Sequence, residues 1–273
     1  MSEILSDPSR LCILSGRFPP SEFLSSWNHR AYAKRHGYTH INCDWPTGAT
    51  NPYMTKFFFV LHYIKIFDYV FWIDDDAFFI QQDRDLTSLI PDEGKLVTFC
   101  RSPTNKKIFT YLSSGQFLIR GGAAGAEFAN AVIDTSLERV EEWWREDLGM
   151  FTKGDQDAIV YLLHEDARFK DAAALHDYTS FNSRIADLEN HKEEVFLLHF
   201  TGPRERKRSD HELAMNQLQT GPSLLSPDVE SELLGGRSRS SVLSSFPRVS
   251  VGKRKRKLSQ KIRRELRKVF RSR

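Results

Sequence analysis

Residues 71–80, Phe-Trp-Ile-Asp-Asp-Asp-Ala-Phe-Phe-Ile, set three consecutive carboxylates between two blocks of β-forming residues. The first apolar block reads as a buried strand, so Asp74, Asp75 and Asp76 fall where that strand leaves its sheet. In an open α/β sheet this is the edge at which ligands bind. Asp74 and Asp76 lie two apart on an extended segment and can therefore point the same way. Hard oxygen donors suit Mg²⁺ or Mn²⁺, and the charge of a shared cation offsets carboxylate repulsion. A solvated acidic turn at a strand end is the alternative reading.

A second apolar run, residues 195–200, ends at Thr201-Gly202-Pro203 and places His199 at another strand exit. Imidazole is a good ligand for Mn²⁺. A late strand returning beside the central one would complete an Asp74/Asp76/His199 set, whereas a lone histidine in this position is also compatible with a structural role. Arg204, Arg206, Lys207 and Arg208 follow at once. They suit either the neutralisation of phosphate groups held by the metal or a solvated charged loop.

The rest of the ordered-looking chain alternates strand and helix. Strands are expected at 11–15, 39–42, 69–73, 95–100 and 116–120. Helices are expected at 21–36 with a Ser21 cap, at 54–67, at 123–147 and at 155–164. Such alternation, with carboxylates at a sheet edge, indicates a Rossmann-like layered α/β fold. There is no GxGxxG after the first strand and no GxxxxGK[ST] loop, which removes the main support for a dinucleotide oxidoreductase or a P-loop kinase. A phosphohydrolase of the haloacid dehalogenase type wants Thr or Val two residues beyond its second Asp, where this chain has Phe78.

Length and charge divide the chain into three parts. A chain of 273 residues with 20 Phe is ample for one sizeable core, and the expected catalytic domain runs from 1 to 208. Residues 209–252, rich in Ser, Pro, Gly and Leu, read as a low-order linker. Residues 253–273 hold 12 Lys/Arg against one Glu, a net +11, while the remainder carries 27 against 35, a net −8. In the tail Leu258, Ile262, Leu266, Val269 and Phe270 fall at helical spacings, so a basic amphipathic helix suited to an anionic membrane surface is expected. Nucleic-acid binding is the rival reading of Lys253–Lys257, and the acidic remainder argues against it as the main activity. Residues 1–10 are polar and no apolar run approaches the roughly 18 residues of a membrane span. The expected location is thus cytoplasmic, peripheral on the cytosolic membrane face. Cys12, Cys43 and Cys100 lack metal-type spacing and read as buried thiols.

Four motifs occur in a telling order: Asp74-x-Asp76 after an apolar strand, Ser114-Gly115-Gln116-Phe117-Leu118-Ile119-Arg120, Asp155-Gln156-Asp157-Ala158, and His199-Phe200-x-Gly202. Together with residues 27–38, Trp-Asn-His-Arg-Ala-Tyr-Ala-Lys-Arg-His-Gly-Tyr, they resemble metal-dependent GT-A glycosyltransferases. The likeness is to the galactosyl/xylosyltransferase group of yeast mannan and plant xyloglucan enzymes, with glycogenin-like and bacterial lipopolysaccharide galactosyltransferases as neighbours. It spans residues 10 to 207. The resemblance implies an α/β, GT-A mixed sheet flanked by helices and a retaining transfer from a UDP- or GDP-sugar to a glycan or lipid-linked acceptor. It implies Mn²⁺ or Mg²⁺ on Asp74, Asp76 and His199, with Asp155 on sugar hydroxyls and Gln156 facing the anomeric centre. The donor side would comprise Lys56, Asp75, Ser114, Gly115, Asn182, Gly202, Arg204 and Arg206.

Three points stay open at this level. An inverting enzyme would need a base, for which Asp155 or Asp157 is placed. Asn182 also reads as a solvent-facing Asx turn. The glycogenin-like lysine expected six residues after the histidine is Glu205 here, leaving Arg204 or Arg206 to serve the diphosphate.

Overall fold

A computed structural model describes residues 7–104 and 109–234. The chain divides into two units at Glu230/Ser231, and of the second only the first four residues are described. The tail and most of the expected linker lie outside the described residues.

The strand runs form where the sequence places them. β1 (Leu11–Ser15), β2 (Thr39–Asn42), β3 (Tyr69–Ile73), β5 (Val97–Cys100), β6 (Ser113–Arg120) and β7 (Ala173–His176) make a six-stranded mixed sheet in the order β2-β1-β3-β6-β5-β7. β1 is parallel to β2 and β3, β6 is antiparallel to β3 and β5, and β7 is parallel to β5. A separate antiparallel pair joins β4 (Ala77–Phe79) to β8 (Leu197–His199), with Ala77 opposite His199. β1 and β3 are buried at every position, the pattern of strands covered on both faces.

Alternate residues of those strands feed two cores. Cys12, Leu14, Val70, Trp72, Phe99 and Phe117 face a layer that includes Phe57 and Phe59 of α2 (Thr55–Tyr63), Phe128 of α3 (Gly122–Asp134) and Ile159 of α5 (Asp155–Glu165). Leu11, Ile13, Phe71 and Leu118 face Tyr32 of α1 (Ser25–His36) and Phe79 of β4, with Tyr32 and Phe79 stacked at 3.8 Å. A smaller cluster joins Phe78 and Leu198 to Leu188 of α6 (Ile185–His191) and Ala214 of α7 (Arg204–Leu218). The three cysteines are buried and free.

Four expected boundaries move, each for a local reason. α1 begins at Ser25 rather than Ser21, because the segment before it is held elsewhere: Glu22 is bound by Arg204 and Arg208 of α7. α2 stops at Tyr63, and the next carbonyl, that of Ile64, accepts from the Gly122 amide at 2.9 Å. The long helix expected at 123–147 is two, α3 and α4 (Leu137–Trp143), since Thr135 is extended and the Ser136 hydroxyl caps α4 by accepting from the Arg139 amide at 3.3 Å. The expected domain end at Arg208 falls inside α7. Ordered chain continues to α8 (Pro227–Leu234), with Leu224 and Leu225 buried and the Asn28 side chain donating to the Ser223 carbonyl at 3.1 Å.

The joint between β6 and α3 depends on Gly121, whose added Cβ would lie 1.8 Å from the Phe67 carbonyl oxygen. Its backbone is extended with φ −71°, so the obstacle is contact with main chain and not conformation. Gly121→Ala should lower stability by about 3 kcal/mol, the upper end of overpacking costs. A fall in the urea midpoint at constant slope would show it; an unchanged midpoint would mean the joint yields.

Candidate active site

β3 delivers the acidic segment. Its ladder ends with the Asp74 amide donating to the Gly115 carbonyl at 2.8 Å, and residues 75–76 then turn, closed by the Ala77 amide on the Asp74 carbonyl at 3.1 Å. The segment is thus a turn between β3 and β4, not the extended stretch expected from sequence. Convergence comes from a different source: β8 pairs with β4 rather than with the central strand, and the Phe200 amide donates to the Asp76 carbonyl at 3.0 Å. Asp74, Asp76 and His199 each offer a ligand atom, and these atoms lie within 4.8 Å of one another.

The hydrogen bonds fix how His199 can serve. The Arg184 guanidinium donates to Asn182 Oδ1 at 2.7 Å, which identifies that atom as the amide oxygen. His199 Nδ1 lies 2.9 Å from the same oxygen and must carry its proton there. Nε2 then presents a lone pair, 3.2 Å from Asp76 Oδ1, and that buried carboxylate oxygen has no hydrogen-bond donor among the described residues. Two acceptors face each other with no proton between them, an arrangement a cation fits. Two carboxylates and one imidazole form a donor set for a divalent metal, and the carbonyl-type acceptor behind the histidine is the usual orienting partner.

Other charges are arranged around this set. Lys207, on α7, donates to Asp76 Oδ2. Burial works to raise the Asp76 carboxyl, against Lys207 and a protonated His199, which would together hold it below the carboxylate range; burial depresses His199 and favours its neutral form. Lys56 is buried on α2, 3.2 Å from Asp74 Oδ1, 3.3 Å from Asp155 Oδ2 and 2.9 Å from the Ser114 carbonyl. Burial alone would depress its ammonium, yet Asp155 and Asp74 together hold it raised and charged. Burial raises Asp155, against Lys56 and the Ser114 side chain. Trp72 Nε1 donates to Asp74 Oδ1 at 2.7 Å.

Backbone proximity gives Gly115 its meaning, because a Cβ there would lie 2.5 Å from His199 Cε1 and 3.3 Å from Asp74 Oδ2. At the N-terminus of α5, Asp157 accepts from the Thr152 and Gly154 amides at 2.8 and 3.2 Å and from the Thr152 hydroxyl at 2.9 Å. It caps the helix. Gln156 is half-buried beside Asp155. At the ends of β1 and β2, a cavity of about 60 Å³ brings together Gly16, Arg17, Asn42, Asp44 and Asp75, and burial, then Asp76, pushes the Asp75 carboxyl up to about 6.

Some expected residues stay outside. Arg204 is 69% exposed and binds Glu22 at 3.0 Å, while Arg206 is 68% exposed beside Asp210. Gly202 is exposed, with φ +98°. Lys207, named with the arginines as a possible partner for phosphate, takes the inward place instead; the 3.6-residue period of α7 separates its face from that of Arg206. Asn182 is fully buried, not a solvent-facing turn, and Arg184 joins the cluster through its bond to the Asn182 side chain. Trp143 packs on Tyr161 at 5.2 Å. A concavity of about 860 Å³ between α3, α4 and α5 is lined by none of the clustered groups.

No family model matches the chain, and no curated protein matches it in sequence. Solved structures do match in fold. A glycosyltransferase involved in the glycosylation of the major capsid of PBCV-1 superposes with TM-score 0.55 at 16% identity, covering 73% of this chain and 98% of that one. The galactosyltransferase LgtC, in complex with donor and acceptor sugar analogs, gives 0.46 at 14%, covering 75% and 95%. The glycosyltransferase GlyE of Streptococcus pneumoniae TIGR4 gives 0.45 at 15%; the match covers 83% of this chain but only 63% of GlyE. The fold is the GT-A glycosyltransferase fold. Asp74, Asp76 and His199 sit at the C-terminal edge of its parallel strands, where a ligand-binding crevice is expected.

Because Asn182 sets the histidine tautomer, Asn182→Ala should weaken Mn²⁺ binding about 10- to 100-fold with the fold intact. Titration followed by electron paramagnetic resonance measures this, and unchanged affinity would mean the tautomer is set by something else.

Proposed function

We propose that the chain is a metal-dependent glycosyltransferase, hexosyl or pentosyl, that moves a sugar from a UDP- or GDP-sugar to a glycan or lipid-linked acceptor with retention. Its place would be in the galactosyl/xylosyltransferase group. The observation that carries this reading is the convergence of Asp74, Asp76 and the lone pair of His199 Nε2 at the ligand edge of a GT-A sheet.

Mn²⁺ or Mg²⁺ held by those three residues would offset the charge of the donor diphosphate. Lys207 stands on the same carboxylate and supplies an ammonium within reach of the leaving phosphate. Asp44 and Asp75, at the small cavity by β1 and β2, suit ribose hydroxyls. Lys56 and Ser114 hold Asp155 for the sugar hydroxyls, and Gly115 admits His199 by its lack of a side chain. Gln156 stabilises positive charge as the bond from the anomeric carbon to phosphate breaks. The acceptor oxygen bonds to that carbon from the same face, and its proton passes to the departing phosphate oxygen. Retention draws support from the carboxylates: Asp157 is consumed by capping and Asp155 by Lys56, which leaves neither free as the base an inverting route requires.

Asp76→Ala should abolish metal-dependent donor hydrolysis and transfer while the far-ultraviolet spectrum stays unchanged. An α-linked donor should give an α-linked product by NMR, and a β-product alone would defeat retention.

No described helix is long and apolar enough to cross a membrane. We place the chain peripherally, on the cytosolic face, through the basic residues 253–273, at about 1 kcal/mol per Lys or Arg near an anionic surface. Truncation after Leu234 should preserve donor hydrolysis and abolish co-sedimentation with phosphatidylserine vesicles. Co-sedimentation unaltered by truncation would refute the membrane role.

A further inference from the structure

Tyr53 is the most exposed large hydrophobic side chain among the described residues, 60% open to solvent, yet its backbone is tightly fixed. It lies in a single 3-10 turn, Pro52–Met54, directly before α2. The Asn51 side chain accepts from the Tyr53 amide at 2.9 Å and donates to the Lys153 carbonyl at 3.0 Å, tying this turn to the loop before α5. Lys153 adopts φ +60°, a left-handed conformation that a residue with a side chain holds only when its surroundings enforce it. The residue after it, Gly154, approaches the tyrosine ring: a Cβ there would lie 3.2 Å from Tyr53 Cγ and 3.3 Å from Cδ2.

The ring therefore rests on the backbone one residue before Asp155 and Gln156. Lys56, three residues after Tyr53, reaches Asp155 from the other side. An aromatic held rigidly in water beside these groups contributes little to the core, and its open face is available to a ligand. The matching chemistry is a pyranose ring. One face of such a sugar presents several C–H groups, apolar and slightly positive, and the face of a phenol ring is negative. A hydroxyl at the sugar's rim then finds the tyrosine hydroxyl.

We propose that Tyr53 is the acceptor-sugar platform, stacking the apolar face of the pyranose that receives the transferred group. This rests on the glycosyltransferase reading and adds to it the acceptor's chemical class: a glycan whose terminal sugar is a pyranose with an uncluttered C–H face, not a hydroxylated side chain of a protein. The anchor of Gly154 beneath the ring makes the platform a fixed feature of the α5 terminus.

The test uses the full chain with Mn²⁺ and UDP or GDP, and methyl β-glucoside, methyl β-galactoside and methyl α-mannoside as probes. Saturation-transfer NMR should show at least one glycoside receiving saturation mainly on the C–H groups of one ring face. Tyr53→Phe should retain this, and Tyr53→Ser should weaken glycoside binding about tenfold. Calorimetric binding of nucleotide with Mn²⁺ should be the same in all three proteins. The proposal is overturned if no glycoside receives saturation in the wild type, if Tyr53→Ser binds glycosides as the wild type does, or if it loses nucleotide binding in parallel. Failure of the underlying reading has its own signature, the absence of Mn²⁺-dependent nucleotide binding in the wild type.

Discussion

The short pairing of β4 with β8 is the constraint on which the site depends. It sets Ala77 opposite His199, so the residue before β4 and the residue ending β8 meet. The Arg184–Asn182–His199 chain then turns the imidazole so that its lone pair faces Asp76. Asn182 and His199 are buried, and an unpaired buried polar group costs on the order of 1–3 kcal/mol. The geometry is therefore set by the folded chain before any ligand arrives. Phe78 and Leu198 fix the pairing by carrying the satellite core on their outer face.

Charge is arranged in two adjoining sets. Asp74 and Asp155 share Lys56, and Asp76 holds Lys207 beside a neutral histidine. Removing one partner from such a buried pair leaves an uncompensated charge, commonly a loss of 3–5 kcal/mol. The two lysines differ in what they can do. Lys56 is enclosed and bridges three groups, so it is part of the scaffold. Lys207 is about a quarter exposed and holds Oδ2 of Asp76, which leaves Oδ1 facing the histidine lone pair.

Much of this was legible in the sequence, because buried strands are written as continuous apolar runs and the carboxylates and histidine interrupt those runs at their ends. Five strands of the sheet and the Asp74/Asp76/His199 grouping follow from that pattern. β7 escaped because Ala173–His176 is short and only half-buried, with no apolar run to announce it. The α3–α4 break escaped because Thr135-Ser136 interrupts a helical pattern through hydroxyl bonds that periodicity does not register. Arg204 and Lys207 were confused because a basic run does not reveal its facing; Glu22, distant in sequence, draws Arg204 and Arg208 outward and leaves Lys207 inside. Asn182 looked like a turn former, and only its burial behind His199 distinguishes it.

The Asp155-Gln156-Asp157 triplet shows how a helix start divides labour among similar residues. Asp157 faces back along the chain and satisfies the Thr152 and Gly154 amides, which pins the first turn of α5. Asp155, two positions earlier, points across to Lys56 and so ties α5 to α2. Gln156 lies between these two faces and is the only member left half-open. A carboxylate in its place would bring a third negative charge to one helical turn, with Lys56 already shared. An amide presents an oxygen with partial negative charge at no such repulsion, and it cannot be silenced by an ion pair with the neighbouring lysine. The neutral residue is consequently the one left free of both the helix cap and the lysine.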